Sequence, residues 1–104
     1  MGRDAGADNA GATTPDRGFG RALRAARVAR GLSQEALAFE AGYDRSYISL
    51  LEHGRYSASL NTVFRLARAL AVRPSALLAQ FEEGVDAIPE RAHADDVGAR
   101  DGRA

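Results

Sequence analysis

Apolar side chains recur every three or four residues between Phe19 and Phe81, and no segment alternates with a period of two. That spacing predicts helices with one buried stripe each, and no strand. Helix one is expected from about Phe19 to Arg30, with Phe19, Leu23 and Ala26 on one face and Gly31 ending it. Ser33 is placed to cap helix two, Gln34 to Ala41, whose opening turn holds Gln34 and Glu35. Gly42 can take the left-handed conformation that stops this helix, and Ala38 is small where a neighbouring helix must come close. Asp44 can cap helix three, from Arg45 to about His53, and the Ala-Gly-Tyr-Asp turn before it joins helices at a steep angle. Ser59 precedes helix four, about Leu60 to Ala71, with Val63, Leu66, Ala67 and Leu70 inward. Pro74 suits the first turn of helix five, about Pro74 to Glu83, whose apolar face is Leu77, Leu78 and Phe81. The expected fold class is all-α, a bundle of five short helices.

The flanks do not follow this pattern. Residues 1–18 are Gly, Ala, Asp and Thr rich, with no apolar side chain larger than the first Met; residues 84–104 scatter only Val85, Ile88 and Val97. Neither buries enough surface to offset chain ordering, so both read as disordered tails around a domain at 19–83. Val85 and Ile88 can either extend the last helix or pack on a partner. A core of about 65 residues suffices for one small domain. The absence of cysteine excludes disulfides and thiolate metal sites. No run of 18 apolar residues and no charged-then-apolar leader occurs, which points to the cytoplasm and away from a membrane.

Helix three decides the direction of the functional reading. Ile48 and Leu51 give it one apolar face, and Arg45, Ser46, Ser49 and Leu50 are left on the other. A short helix held by one face, with small polar groups on the other, fits the major groove of DNA. The stretch Ser33–His53, SQEALAFEAGYDRSYISLLEH, resembles the helix-turn-helix of the lambda repressor/Cro (XRE) family. The likeness extends upstream through FGRALRAAR at 19–27 and GLSQE at 31–35, and downstream through LARALAV at 66–72. It covers about residues 19–81. It implies a five-helix lambda-repressor-like domain with its helix-turn-helix at helices two and three, and a homodimer on double-stranded DNA.

The resemblance places Arg45, Ser46, Ser49 and Leu50 against base edges. An arginine there can donate two hydrogen bonds to a guanine, or hold a phosphate only. The serines can read a base or simply leave room. Leu50 can meet a thymine methyl, or lie at the core edge or a protein contact. Tyr47, on the flank, can bond a phosphate or pack on helix two. Gln34 stands at the family's phosphate-binding helix start, where free N–H groups favour an anion, and its side chain can brace the Arg45 region. His53, Arg55, Tyr56 and Asn61 correspond to the loop and helix start that grip the backbone, with Arg21 and Arg24 as weaker candidates. The resemblance also pairs Glu52 with Arg27 as a partly buried structural ion pair locking helix three to helix one; Arg27 can in addition reach a phosphate. Surplus apolar surface at Val72, Leu77, Leu78 and Phe81 is expected to form the dimer interface.

Charge adds little. Fourteen arginines balance fourteen acids, but residues 19–83 hold nine Arg against six acids, a modestly basic domain between acidic tails. Catalysis finds no support: no H-E-x-x-H, G-x-S-x-G or phosphate-loop pattern appears, and His53 and His93 stand apart. No metal, cofactor or small-molecule substrate is expected. Two functions are therefore weighed. One is a sequence-specific DNA-binding transcription regulator, of the phage-repressor type or of the type that controls restriction–modification genes, to which the Arg-Ser-Tyr-Ile-Ser run is similar. The other is an antitoxin-type module that neutralises a partner enzyme.

Overall fold

The computed structural model describes residues 14–85. The two tails expected to be disordered lie outside the described residues, apart from 14–18 and 84–85. Five helices follow in order: α1 (Pro15–Ala29), α2 (Gln34–Ala41), α3 (Arg45–Glu52), α4 (Leu60–Ala69) and α5 (Pro74–Gly84). Among the described residues there is no strand.

Helix α1 begins four residues before the expected Phe19. Thr14 is its N-cap and accepts a long 3.4 Å bond from the Arg17 N–H, while Pro15 takes the first helical position, where no N–H is needed. Gly18 and Gly20 weaken the helical signal here, yet both are packing positions. A Cβ on Gly20 would stand 2.5 Å from the carbonyl oxygens of both Leu51 and Glu52, so only glycine lets α1 touch the end of α3. A Cβ on Gly18 would stand 2.8 Å from the Val85 side chain and 3.1 Å from that of Phe81, which places Val85 against α1.

The caps explain the other boundaries. Ser33 Oγ accepts the Ala36 N–H at 3.0 Å, and Ser59 Oγ accepts that of Thr62 at 3.1 Å. Gly42 ends α2 at φ 79°, with the Tyr43 N–H returning to the Ala38 carbonyl. Asp44 occupies the N-cap of α3 but makes no side-chain capping bond, a correction to its expected role. Helix α4 stops at Ala69, two residues early, because Ala71 adopts φ 60° and the Val72 N–H turns back to the Ala67 carbonyl. Ala71 thus closes α4 as Gly42 closes α2, at a cost of about 1 kcal/mol for an L-residue in that conformation.

Leu23, Leu37, Ile48, Leu51, Leu66, Leu70 and Leu77 are fully buried and come from all five helices. Each contributes about 1.5–3 kcal/mol of burial. Helix α1 packs on α3 and α5, α2 on α3 and α4, and α4 on α5. Helix α3 is therefore gripped from its inner side by α1 and α2, and its outer side has no helix over it.

Candidate nucleic-acid interface

Ile48 and Leu51 seat α3 in the core with no exposed surface. Its other side presents Arg45 and Ser46 exposed, and Ser49 and Leu50 half-buried. An α-helix is about 10–12 Å across with its side chains, which fits a B-DNA major groove about 12 Å wide.

Polar contacts fix its far end. Arg27 Nε meets Glu52 Oε2 at 2.6 Å and Nη2 meets Oε1 at 3.1 Å, a bidentate ion pair whose side chains are 11% and 2% exposed. The Glu52 hydrogen bond, together with its charge, raises the Arg27 pKa above its ordinary value against the opposing effect of burial. Arg27 Nη1 donates to the Leu32 carbonyl at 2.8 Å. The guanidinium is therefore largely committed within the fold, which leaves Arg27 little surface for a phosphate. Gln34 Nε2 donates to Glu52 Oε1 at 3.0 Å. Its amide thus braces the ion pair, not the Arg45 region. One buried carboxylate ties together α1, α2 and α3.

Tyr47 is half-buried among aromatic neighbours. Its ring lies 5.0 Å from that of Tyr43 and 6.1 Å from that of Tyr56. His53 is the C-cap residue of α3, exposed, with Nδ1 2.8 Å from the Ser49 carbonyl. Arg55 and Tyr56 are exposed beyond it. The loop is fastened to α1 through the Ser57 hydroxyl, which donates to Asp16 Oδ1 at 2.6 Å. His53 lines a small cleft with Arg17, Arg21 and Glu52; Arg24 is exposed on α1. Asn61, in the first turn of α4, lines an open groove of about 550 Å³ with Phe64, Arg65, Arg68, Val72 and Pro74.

The surface assigned to a second copy is arranged differently from the expectation. Leu77 is 1% exposed and belongs to the core, so it has no surface left for a partner. Phe81 stacks edge-on against Phe19 at 6.1 Å, and Leu78 is half-buried against the core. Val72 remains at the groove beside Phe64, which is 59% exposed, and Leu60 in the first turn of the Phe64 helix is 71% exposed. The spacing of α4 had marked only its inward residues, so neither Leu60 nor Phe64 was singled out. Among the described residues no cluster of His, Cys, Asp or Glu could hold a metal, and no helix is long and apolar enough to cross a membrane.

A helix-turn-helix family model matches residues 23–77, more than half of the chain. The chain belongs to this family, the lambda repressor/Cro (XRE) type. Among its relatives, the control protein C.BamHI of Bacillus amyloliquefaciens is 41% identical over 61 residues, covering 58% of this chain and 75% of that one. The immunity repressor of Bacillus phage phi105 is 38% identical over 61 residues, 59% of this chain and 42% of the repressor. The crystal structure of the restriction–modification controller protein C.AhdI from Aeromonas hydrophila superposes with a TM-score of 0.57 at 48% identity, covering 59% of this chain and 92% of that one. The five helices are those of an XRE-type DNA-binding domain, and the relatives are controller and repressor proteins. This is a DNA-binding domain of the transcription-regulator class.

Proposed function

We propose that this chain is a sequence-specific transcription regulator that binds a two-fold symmetric operator as a homodimer and controls restriction–modification genes. The observation that carries this reading is α3 itself, held by Ile48, Leu51 and the Arg27–Glu52–Gln34 cluster while Arg45 and Ser46 stay exposed. Arg45, Ser46, Ser49 and Leu50 read bases; the α2 start at Gln34, and His53, Arg55 and Asn61, hold phosphates on either side. Similarity to C.BamHI and C.AhdI supports the restriction–modification assignment. The chain works by binding, not catalysis, and does so in the cytoplasm without metal or cofactor.

The second copy docks on the α4–α5 face around Phe64, Val72 and Leu60, where apolar surface is exposed. Two recognition helices then meet half-sites about 34 Å apart. Selection from a random-sequence DNA library at two salt concentrations, with sedimentation of the free protein, tests the whole reading. A palindromic selected site and a dimer at micromolar concentration are expected. Salt-sensitive binding with no preferred sequence, or a strict monomer that binds one half-site, overturns it.

A further inference from the structure

The sequence holds three tyrosines and no tryptophan, and all three tyrosines stand in one ladder beside α3. Tyr43 comes from the turn before it, Tyr47 from its first turn, and Tyr56 from the loop after it; neighbouring ring centres lie 5.0 and 6.1 Å apart. The Arg65 guanidinium covers the Tyr43 ring at 5.2 Å to the centroid. At the foot of the ladder is Thr62 of α4, 6% exposed. Its Oγ1 accepts the Tyr43 hydroxyl at 3.1 Å and the Ser59 hydroxyl at 3.1 Å. A threonine hydroxyl has two acceptor sites and one proton. The Tyr47 oxygen lies 3.5 Å away, a long contact in which either hydroxyl can be the donor.

We propose that the buried Thr62 hydroxyl is a positioning group for sequence recognition: through Tyr43, and through the tilted packing of the Tyr43 ring against that of Tyr47, it sets the rotation of α3 about its own axis. The inference rests on the operator-binding reading above. Ile48 and Leu51 seat the helix by apolar contacts, which carry little directional information. The ion pair at Glu52 fixes its C-terminal end only. Its first turn, where Arg45 and Ser46 stand, is held from the side by the tyrosine ladder. A helix surface lies about 5–6 Å from the axis, so a roll of about 10° moves an exposed tip by about 1 Å. That displacement takes a base contact out of the hydrogen-bond window.

Thr62→Val removes the hydroxyl and keeps the shape, Thr62→Ser restores it, and Tyr43→Phe deletes only the partner oxygen. The full chain is measured in two ways. Because no tryptophan contributes, near-ultraviolet circular dichroism of the tyrosine band should change in Thr62→Val, which keeps all three tyrosines, and return in Thr62→Ser. The ratio of affinities for the selected operator and its single-base variants should fall about twofold to tenfold in Thr62→Val and Tyr43→Phe, the scale of one net hydrogen bond, and recover in the serine variant. Combining Thr62→Val with Tyr43→Phe should add little beyond either alone. If Thr62→Val lowers the melting midpoint yet discriminates bases as the wild type does, the hydroxyl is merely structural and the inference falls alone. If Thr62→Val does not fold, unchanged discrimination in Tyr43→Phe overturns it equally. A wild type that selects no sequence overturns the proposed function, and this inference with it.

Discussion

Replacing Glu52 by alanine should destabilise the domain more than any other single change at the interface. Three donors lose their acceptor at once: Arg27 Nε at 2.6 Å, Arg27 Nη2 at 3.1 Å and Gln34 Nε2 at 3.0 Å. The Arg27 side chain is only 11% exposed, so its charge stays in the fold with the Leu32 carbonyl as its remaining partner. Stranding one member of a buried pair costs about 3–5 kcal/mol. At about 4–8 °C per kcal/mol for a domain of this size, the melting midpoint should fall by at least about 12 °C. Replacing the pair together, as Arg27→Met with Glu52→Leu, should recover most of the loss, because no uncompensated charge is left. The raised Arg27 pKa adds no pH dependence near neutrality. Its stabilising contribution is complete throughout the physiological range and is lost only in strong alkali, as pH rises through the raised folded-state value. Thermal and urea melts of the three proteins decide the matter. A loss under about 1 kcal/mol in Glu52→Ala is the figure for an exposed pair and would refute the reasoning.

The remaining expectations follow from local geometry. Gly20→Ala should cost about 1–3 kcal/mol or more in a urea melt, since its Cβ meets two backbone oxygens that cannot swing aside; wild-type stability would show that α1 and α3 are not in contact there. Ser33→Ala should lose about 1 kcal/mol with its capping bond, whereas Asp44→Ala, which breaks no such bond, should lose clearly less; equal losses would contradict the cap assignments. Phe64→Glu should shift the sedimentation equilibrium towards monomer while leaving the helix content unchanged, because Phe64 is already 59% exposed in one copy.

The helices were legible because each buries one periodic stripe, and Leu23, Ile48, Leu51, Val63, Leu66 and Leu70 all lie inside where that period places them. The start of α1 was not, because Pro15 to Gly18 look like the end of a tail until the close approach of α5 at Gly18 is known. Ala71 was equally hidden, since nothing local distinguishes an alanine in the left-handed conformation from one in a helix. At the interface, periodicity alone marked the outward face of α3. The partner of Glu52 stands 25 residues away, a separation that only the likeness to a known family could bridge. Gln34 joined that pair unannounced, because a helix-opening glutamine has the same sequence signal whichever way its amide turns. The tyrosine ladder left no trace of period at all: Tyr43, Tyr47 and Tyr56 belong to a turn, a helix and a loop, and only the packing on Thr62 brings them together.

If α3 reads bases through its exposed first turn, the loss of the Arg45 side chain must show it. Arg45→Ala should be titrated against the selected operator and a panel of its single-base changes, at two salt concentrations. A loss of about 1–3 kcal/mol is expected on the preferred site, with relaxed discrimination at one position in each half-site and intact discrimination elsewhere. A uniform loss across the panel, accompanied by a smaller salt slope, would make Arg45 a phosphate contact and contradict the account.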